Sequence, residues 1–436
     1  MYYSQPGDSL IAVASHFGVD ISEIKSNIEL PIKNLIDPGT FMMIPNKILE
    51  ETTESVQIMP DSEVVFSPSA IDFDVQNYIS DAGGYINRYK EYLESTKTTS
   101  GGDIVKRQAI ENSINPRLLL GLLEYHSNWI TDEPSNLANN DYPLGYVDLN
   151  HVGLFRQFML AAADLSVGYY GWRSGTLTEL KFNDGRSLRI APDLNAGTVA
   201  ILYYFSKHKN IADWQAVVDP NEGFMKLYKS MFGDPWIRAQ KVEPLFPPGT
   251  TQPALSLPFY PSETWSLTWG PHSAWEVEGG ALAALDFAPG DEHSTPCYQS
   301  DSWVLSSASG QVVRSGNGLV VLDLNNDGYE QTGWDLMYLH IATKDRVPLG
   351  TWLNKDDRIG HPSCEGGRAN GTHIHFARKF NGEWIVADGP LPFDLSGWIA
   401  HAGNTPGEGT LTKGNFVVIA KPNGSAVTKI VRQPGE

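Results

Sequence analysis

Cysteine is nearly absent: Cys297 and Cys364 are the only two in 436 residues. That excludes a disulfide-dense scaffold and leaves two alternatives, one bridge in an oxidising compartment or two buried thiols in a reducing one. Positive charge is scarce too. Lys and Arg number 32 against 51 Asp and Glu, a formal net charge of -19. No basic surface is available to neutralise phosphates, so nucleic acid is excluded as a partner. A run of about 18 apolar residues is also missing, and no transmembrane helix is expected. No signal peptide is legible, because Met1 leads at once into Tyr2-Tyr3-Ser4-Gln5-Pro6-Gly7-Asp8, a folded-domain pattern. What the chain does have is 41% hydrophobic and 11% aromatic residues, enough for packed cores. Its length predicts roughly three domains.

The stretch with the sharpest chemistry is Gly371-Thr-His-Ile-His-Phe376. Flanked by β-formers, it reads as a strand edge with His373 and His375 on one face, their Cα atoms roughly 6.5–7 Å apart. Two imidazoles side by side point to metal or catalytic chemistry. Further candidates lie upstream. Ala284-Leu-Asp-Phe-Ala288 sets Asp286 between large apolar neighbours, where a buried carboxylate needs a charged or hydrogen-bonding partner. Met337-Tyr-Leu-His-Ile341 presents His340 in an otherwise apolar strand, and Pro271-His272 precedes both. Histidines plus one aspartate match a catalytic zinc site, which uses three protein ligands and keeps one position open.

From the beginning of the chain, Tyr2-Tyr3 starts a strand, Asp8-Ser9 cap a helix carrying Leu10, Ile11, Ala14 and Phe17, and Gly18 stops it. Asp20-Ile-Ser-Glu23 is a capping box predicting a second helix to about Asn27. Thr40-Phe-Met-Met-Ile44 closes a compact βααβ unit. Gln5-Pro-Gly-Asp-Ser-Leu10, Phe17-Gly18-Val19, Asn27, Gly39 and Ile44-Pro45-Asn46 resemble a lysin-motif (LysM) domain over residues 1–47. The resemblance implies binding of N-acetylglucosamine-containing glycan between Gly7, Asp8, Ser9, Leu10 and the loop containing Leu30.

Residues 48–70 are polar and read as a linker. Helical periodicity then runs through about 72–93, 103–113, 116–125, 151–168, 194–208 and 221–231, giving a mostly α domain over 71–240. Ala109-Ile-Glu-Asn-Ser-Ile-Asn-Pro-Arg-Leu-Leu-Leu-Gly-Leu-Leu-Glu-Tyr-His-Ser-Asn-Trp129 is similar to the start of the lysozyme-like lytic transglycosylases. That family uses a glutamate as general acid just before the serine that is here Ser127. His126 stands at that place, and Glu124 is about 200° round the helix. The expectation is a lysozyme-like fold that does not cut glycan.

Residues 241–255 are proline-rich and read as a semi-rigid spacer. Beyond them, short β-rich runs at 283–288, 303–307, 310–314, 319–324, 336–340, 372–379, 383–386 and 415–420 predict an all-β domain over 256–436. Asp323-Leu-Asn-Asn-Asp327-Gly328 looks like half a calcium loop but has Trp334 at its twelfth position, so a turn is expected. Taken together, His272, Asp286, Ser309-Gly310-Gln-Val312, Tyr338-Leu-His340, Arg358-Ile-Gly360 and Gly371-Thr-His-Ile-His-Phe376 resemble the lysostaphin-type zinc endopeptidases over roughly 256–388. By that resemblance one zinc ion is held by His272, Asp286 and His375, while His340 and His373 stay unliganded and handle protons. One departure stands out: thirteen residues separate His272 from Asp286 where the family has three, so residues 273–285 form a flap or displace His272. His293, His361 and His401 carry no motif and read as surface or loop histidines.

Within this frame a Cys297–Cys364 disulfide is preferred to free thiols, because it cross-links loops beside two ligand-bearing strands. The leading reading is a monomeric, secreted, cell-wall-associated zinc endopeptidase whose export signal has been removed, cutting peptidoglycan peptides while the LysM unit holds the glycan. The alternatives are an inactive peptidoglycan-binding or regulatory protein, and a two-headed hydrolase that also cuts glycan strands.

Overall fold

The computed structural model describes residues 1–275, 279–291 and 295–436. It divides into two compact units, Met1–Gly249 and Thr250–Glu436, with the division inside the proline-rich stretch. No helix among the described residues is long and apolar enough to cross a membrane.

The first unit begins with strand β1 (Tyr2–Tyr3), helix α1 (Leu10–Phe17) and strand β2 (Phe41–Met42), β2 pairing antiparallel with β1. Ser9 caps α1 by accepting from the Ala12 N–H, and Gly18 ends it in the left-handed region. The expected second helix is a correction. Only one 3-10 turn forms, Ile21–Glu23, although the capping box is present. Ile24 is extended, and Lys25 exchanges backbone hydrogen bonds with Met43. A strand-like partner has claimed the donors that a longer helix needs.

The helices that follow are α2 (Val75–Ala82), α3 (Gly101–Asn112), α4 (Pro116–Ser127), α5 (Leu137–Asp141), α6 (Leu154–Ser174), α7 (Ala196–His208), α8 (Ile211–Val218), α9 (Phe224–Phe232) and α10 (Pro235–Ala239). Two small hairpins interrupt them: β3 (Lys90–Leu93) with β4 (Lys97–Ser100), and β5 (Glu179–Lys181) with β6 (Ser187–Arg189). The helical run expected over 72–93 therefore breaks at Gly83, whose φ is +73°, and ends in a strand.

Residues 58–65, read as part of a linker, are packed inside this unit. Met59, Ser62, Glu63 and Val64 are fully buried. The Asp61 carboxylate accepts from Asn195 Nδ2 and the Gly197 N–H and pairs with Arg173 at 2.8 Å. Glu63 pairs with Arg238 at 2.7 Å and accepts from the Tyr228 hydroxyl. Their polarity mimics a solvated linker, whereas the carboxylates are buried counter-charges for cations more than a hundred residues away.

The second unit is built on a nine-stranded sheet in the order β13-β10-β11-β12-β15-β8-β7-β21, with β16 alongside β15. The strands are β7 (Thr264–His272), β8 (Ala284–Ala288), β10 (Gly310–Gly316), β11 (Leu319–Asp323), β12 (Trp334–Leu339), β13 (Trp352–Leu353), β15 (Ile374–Phe380), β16 (Glu383–Trp384) and β21 (Lys429–Val431). A separate pair joins β9 (Val304–Leu305) to β14 (Arg358–Gly360), and a four-stranded sheet is made of β17 (Asp394–Leu395), β18 (Trp398–His401), β19 (Thr410–Lys413) and β20 (Phe416–Ile419). All pairings in the large sheet are antiparallel. One core contains Leu267, Phe287, Val320, Leu336, Tyr338, Ile374 and Phe376. The alternation of these apolar residues with the polar ones sets which side chains leave the core face. Sequence reading missed β7. The C-terminal residues 389–436, unreadable in sequence, supply the small sheet and the edge strand β21.

Candidate metal centre

Register brings the chemistry together. His375 on β15 lies directly across from Asp286 on β8, and Leu339, the residue before His340, lies across from His375 on the other side. β7 reaches the same end of the sheet through two register shifts, so His272 falls beside Asp286 despite the long intervening segment. The long connection therefore does not displace His272. Its Nε2 is 2.8 Å from Asp286 Oδ1.

His375 Nδ1 is 3.3 Å from the same oxygen, and His373 Nε2 is 3.4 Å from Asp286 Oδ2. Ring centroids are 4.8 Å apart for His272 and His375, 4.5 Å for His340 and His373, and 6.4 Å for His340 and His375. All five residues named from the sequence thus meet. Candidate ligand atoms of His272, Asp286 and His375 lie within 4.8 Å of one another, the one such group among the described residues.

The hydrogen bonds fix which ring nitrogen carries a proton, since a carbonyl can only accept. His375 Nε2 donates to the Ala274 carbonyl at 2.9 Å, which leaves Nδ1 as a bare lone pair facing the Asp286 carboxylate. Two acceptors 3.3 Å apart need a cation between them, and this is the observation that a metal fits. Ala274 belongs to the 273–285 segment, so that segment orients His375. In the same segment Trp275 is half-buried, and residues 276–278 lie outside the described residues.

His340 and His373 are held differently. His340 Nδ1 donates to the Glu365 carbonyl at 3.1 Å, and His373 Nδ1 donates to the Gly371 carbonyl at 2.7 Å. That leaves Nε2 of His340 without a hydrogen-bond partner among the described residues, whereas Nε2 of His373 faces Asp286 Oδ2. Burial pushes His340 down to about 3 with help from the neighbouring His373 and His375, and burial likewise lowers His375. Burial would raise Asp286, but the charges of His272 and His373 outweigh it and hold the carboxyl well below its usual range. The centre opens onto a groove of about 860 Å³ that is lined by His272, Asp286 and His373.

Cys297 and Cys364 form a disulfide. Cys364 lines the groove, and Glu365, whose carbonyl pins His340, is the next residue. Among the unassigned histidines, His401 is half-buried and bonds Thr412 Oγ1, and His293 lies outside the described residues. His361 lies in the loop after β14, as expected, but is buried there, with its ring 3.9 Å from Trp303 and Nδ1 bonded to the Ser302 carbonyl. Asp323 accepts from the Asn325, Asn326 and Gly328 N–H groups, so its loop is the expected turn.

The first unit gathers its own candidates into internal roles. Asp8 is buried and accepts from the Tyr2 hydroxyl and the Gln5 N–H. Ser9 caps α1, Leu10 lies in the core, and Leu30 packs against it. A Cβ on Gly7 would meet the Arg173 guanidinium. His126 bonds Tyr204 at 3.0 Å, while Glu124 is turned away to accept from the Ile130 and Thr131 N–H groups. Glu124 therefore does not take the place of the missing acid.

Comparison with known proteins adds context. The M23 metalloprotease pseudoalterin from the deep sea overlaps 39% of this chain and 96% of its own, with 17% identity and a TM-score of 0.32. The catalytic domain of lysostaphin, an antimicrobial peptidase from Staphylococcus simulans, overlaps 29% of this chain and 89% of its own, with 22% identity and a TM-score of 0.21. In sequence, Protease LasA of Pseudomonas aeruginosa is 24% identical over 340 residues, which is 76% of this chain and 75% of LasA. Residues 57–245 match the family model described as LasA, N-terminal domain, and the region expected to be lysozyme-like lies inside that match. The second unit thus carries, in His272, Asp286 and His375, a group of side chains that could hold a metal ion. The chain is similar to Protease LasA over 340 residues, and the family-model match falls in its helical part.

Proposed function

We propose that the chain is a secreted zinc endopeptidase that cleaves peptide cross-links of peptidoglycan, with His272, Asp286 and His375 holding the metal. The observation that carries this is the facing pair of acceptors, His375 Nδ1 and Asp286 Oδ1, beside His272 Nε2. The relationship to a relative named as a protease supports it. Zinc bound there supplies Lewis acidity, polarising the scissile carbonyl and bringing the pKa of a water near 7.

The protein's own residues do the rest. The Ala274 carbonyl holds the proton of His375 on Nε2, so Nδ1 stays available as a ligand. His373, which lines the groove, and His340, whose ring is 4.5 Å from it, are both pinned through Nδ1, and one of them takes the proton of the attacking water and passes it to the leaving amine. Burial keeps His340 neutral at physiological pH. Asp286, shared among three imidazoles, anchors the constellation. The N-terminal LysM-like module and the lysozyme-like helices are read as glycan contacts that raise the residence time of the peptidase on the wall.

The test is metal analysis with product mass spectrometry on purified peptidoglycan, with and without chelator. New amino termini that vanish with chelator support the peptidase. Binding without products indicates a regulatory wall-binding protein, and new sugar ends place activity in the helical region.

A further inference from the structure

The groove holds one charged recognition group that the chemistry above does not use. The segment following Cys364 leaves the disulfide and returns at His373, its base closed by pairing of Ser363 with His373. Near its start the chain packs backbone to backbone: a Cβ on Gly366 would lie 2.3 Å from the Asn317 carbonyl oxygen, and φ there is +71°. The base is therefore fixed, and the tip beyond it lines the same groove as His272, Asp286 and His373.

At that tip Arg368 is the one Lys or Arg among the described residues lining the groove. It is exposed, and no hydrogen bond or ion pair ties it to another described residue. Asn370, two residues on, also lines the groove, its amide bonded to no other described residue. Elsewhere in this unit arginines are committed: Arg314 to Glu330, Arg432 to Asp356 and Arg346 to the Ile341 carbonyl. In a chain with a net charge of -19, most of the surface repels an anionic ligand. A forked guanidinium on an anchored loop matches a carboxylate through two parallel hydrogen bonds.

We propose that Arg368 is a specificity determinant that receives a free carboxylate of the substrate peptide near the scissile bond. The groove then favours peptides that carry a carboxylate near the cleaved bond over uncharged ones. This rests on the peptidase reading of the groove.

The experiment uses the full zinc-loaded chain and two synthetic peptides that differ only in a side-chain carboxylate or carboxamide two residues from the cleaved bond. The parent should show about a tenfold higher kcat/KM for the carboxylate peptide, expressed mainly in KM. R368Q should equalise the two peptides without changing the carboxamide rate, and R368K should restore part of the preference. A parent with no preference, or an R368Q variant that keeps it or slows both peptides equally, overturns the proposal. Calorimetric binding of the same peptides reads the preference without turnover. If the parent binds the carboxylate form better, R368Q loses this, and neither peptide is cleaved, the peptidase reading falls while the anchor stands. If the parent binds both alike, the anchor falls whatever the turnover.

Discussion

Replacing Cys297 and Cys364 by serine tests how the second unit is held around its centre. The bridge spans 67 residues, and the chain-entropy model gives about 4 kcal/mol for closing a loop of that length. For a unit of this size each kcal/mol moves Tm by about 2–4 °C, so the double variant should melt about 8–16 °C lower. The two units need not unfold together, so calorimetry should show the shift in one transition. The metal donors should survive, because they sit on β7, β8 and β15, held by ladder hydrogen bonds. His340 is more exposed to the change, since its Nδ1 partner is the carbonyl of Glu365, next to Cys364. Zinc content near one per chain with turnover reduced severalfold well below the melting temperature is the expected pattern. A Tm within about 3 °C of the parent would refute the entropic argument, and loss of zinc would refute the separation of ligands from the loop.

Other outcomes follow from the same structure. His375→Ala and Asp286→Ala should lose zinc by elemental analysis, whereas His340→Ala and His373→Ala should keep it and lose turnover by about 10²–10⁴-fold. Zinc loss in His373→Ala would reverse the roles of the two histidines. The first unit should be acid-labile, because burial holds His16 and His126 down to about 3 and His208 to about 4. Unfolding lets each take a proton below about pH 6.5, so stability falls with pH by up to about 4 kcal/mol per unit for the three. Asp8 opposes this: burial raises it to about 6, so between about pH 6 and 4 the folded state takes that proton first and offsets roughly one of the three. A unit-one melting transition that does not fall between pH 6.5 and 4.5 would contradict the neutral buried histidines. Glu63→Ala, which strands Arg238 beside a fully buried gap, should destabilise the same unit by about 3–5 kcal/mol in urea denaturation.

The sequence by itself determined the local and the periodic. The helices α3, α4, α6 and α7 and most strands of the large sheet followed from apolar spacing and caps, since these depend on near neighbours. The five residues of the centre were legible because a strand repeat of two places His373 and His375 together, and because histidine and aspartate in apolar strands need a reason to be there. Only tertiary structure decided the rest. Asp61 and Glu63 read as linker polarity until Arg173 and Arg238 were brought against them. The second LysM-like helix yielded to Lys25 pairing with Met43. The gap between His272 and Asp286 looked too long in one dimension, yet two register shifts in β7 close it and turn the Ala274 carbonyl onto His375. Side-chain chemistry is written residue by residue, but which groups share a proton, a counter-charge or a metal depends on strand register and burial, which contacts far apart in the chain decide.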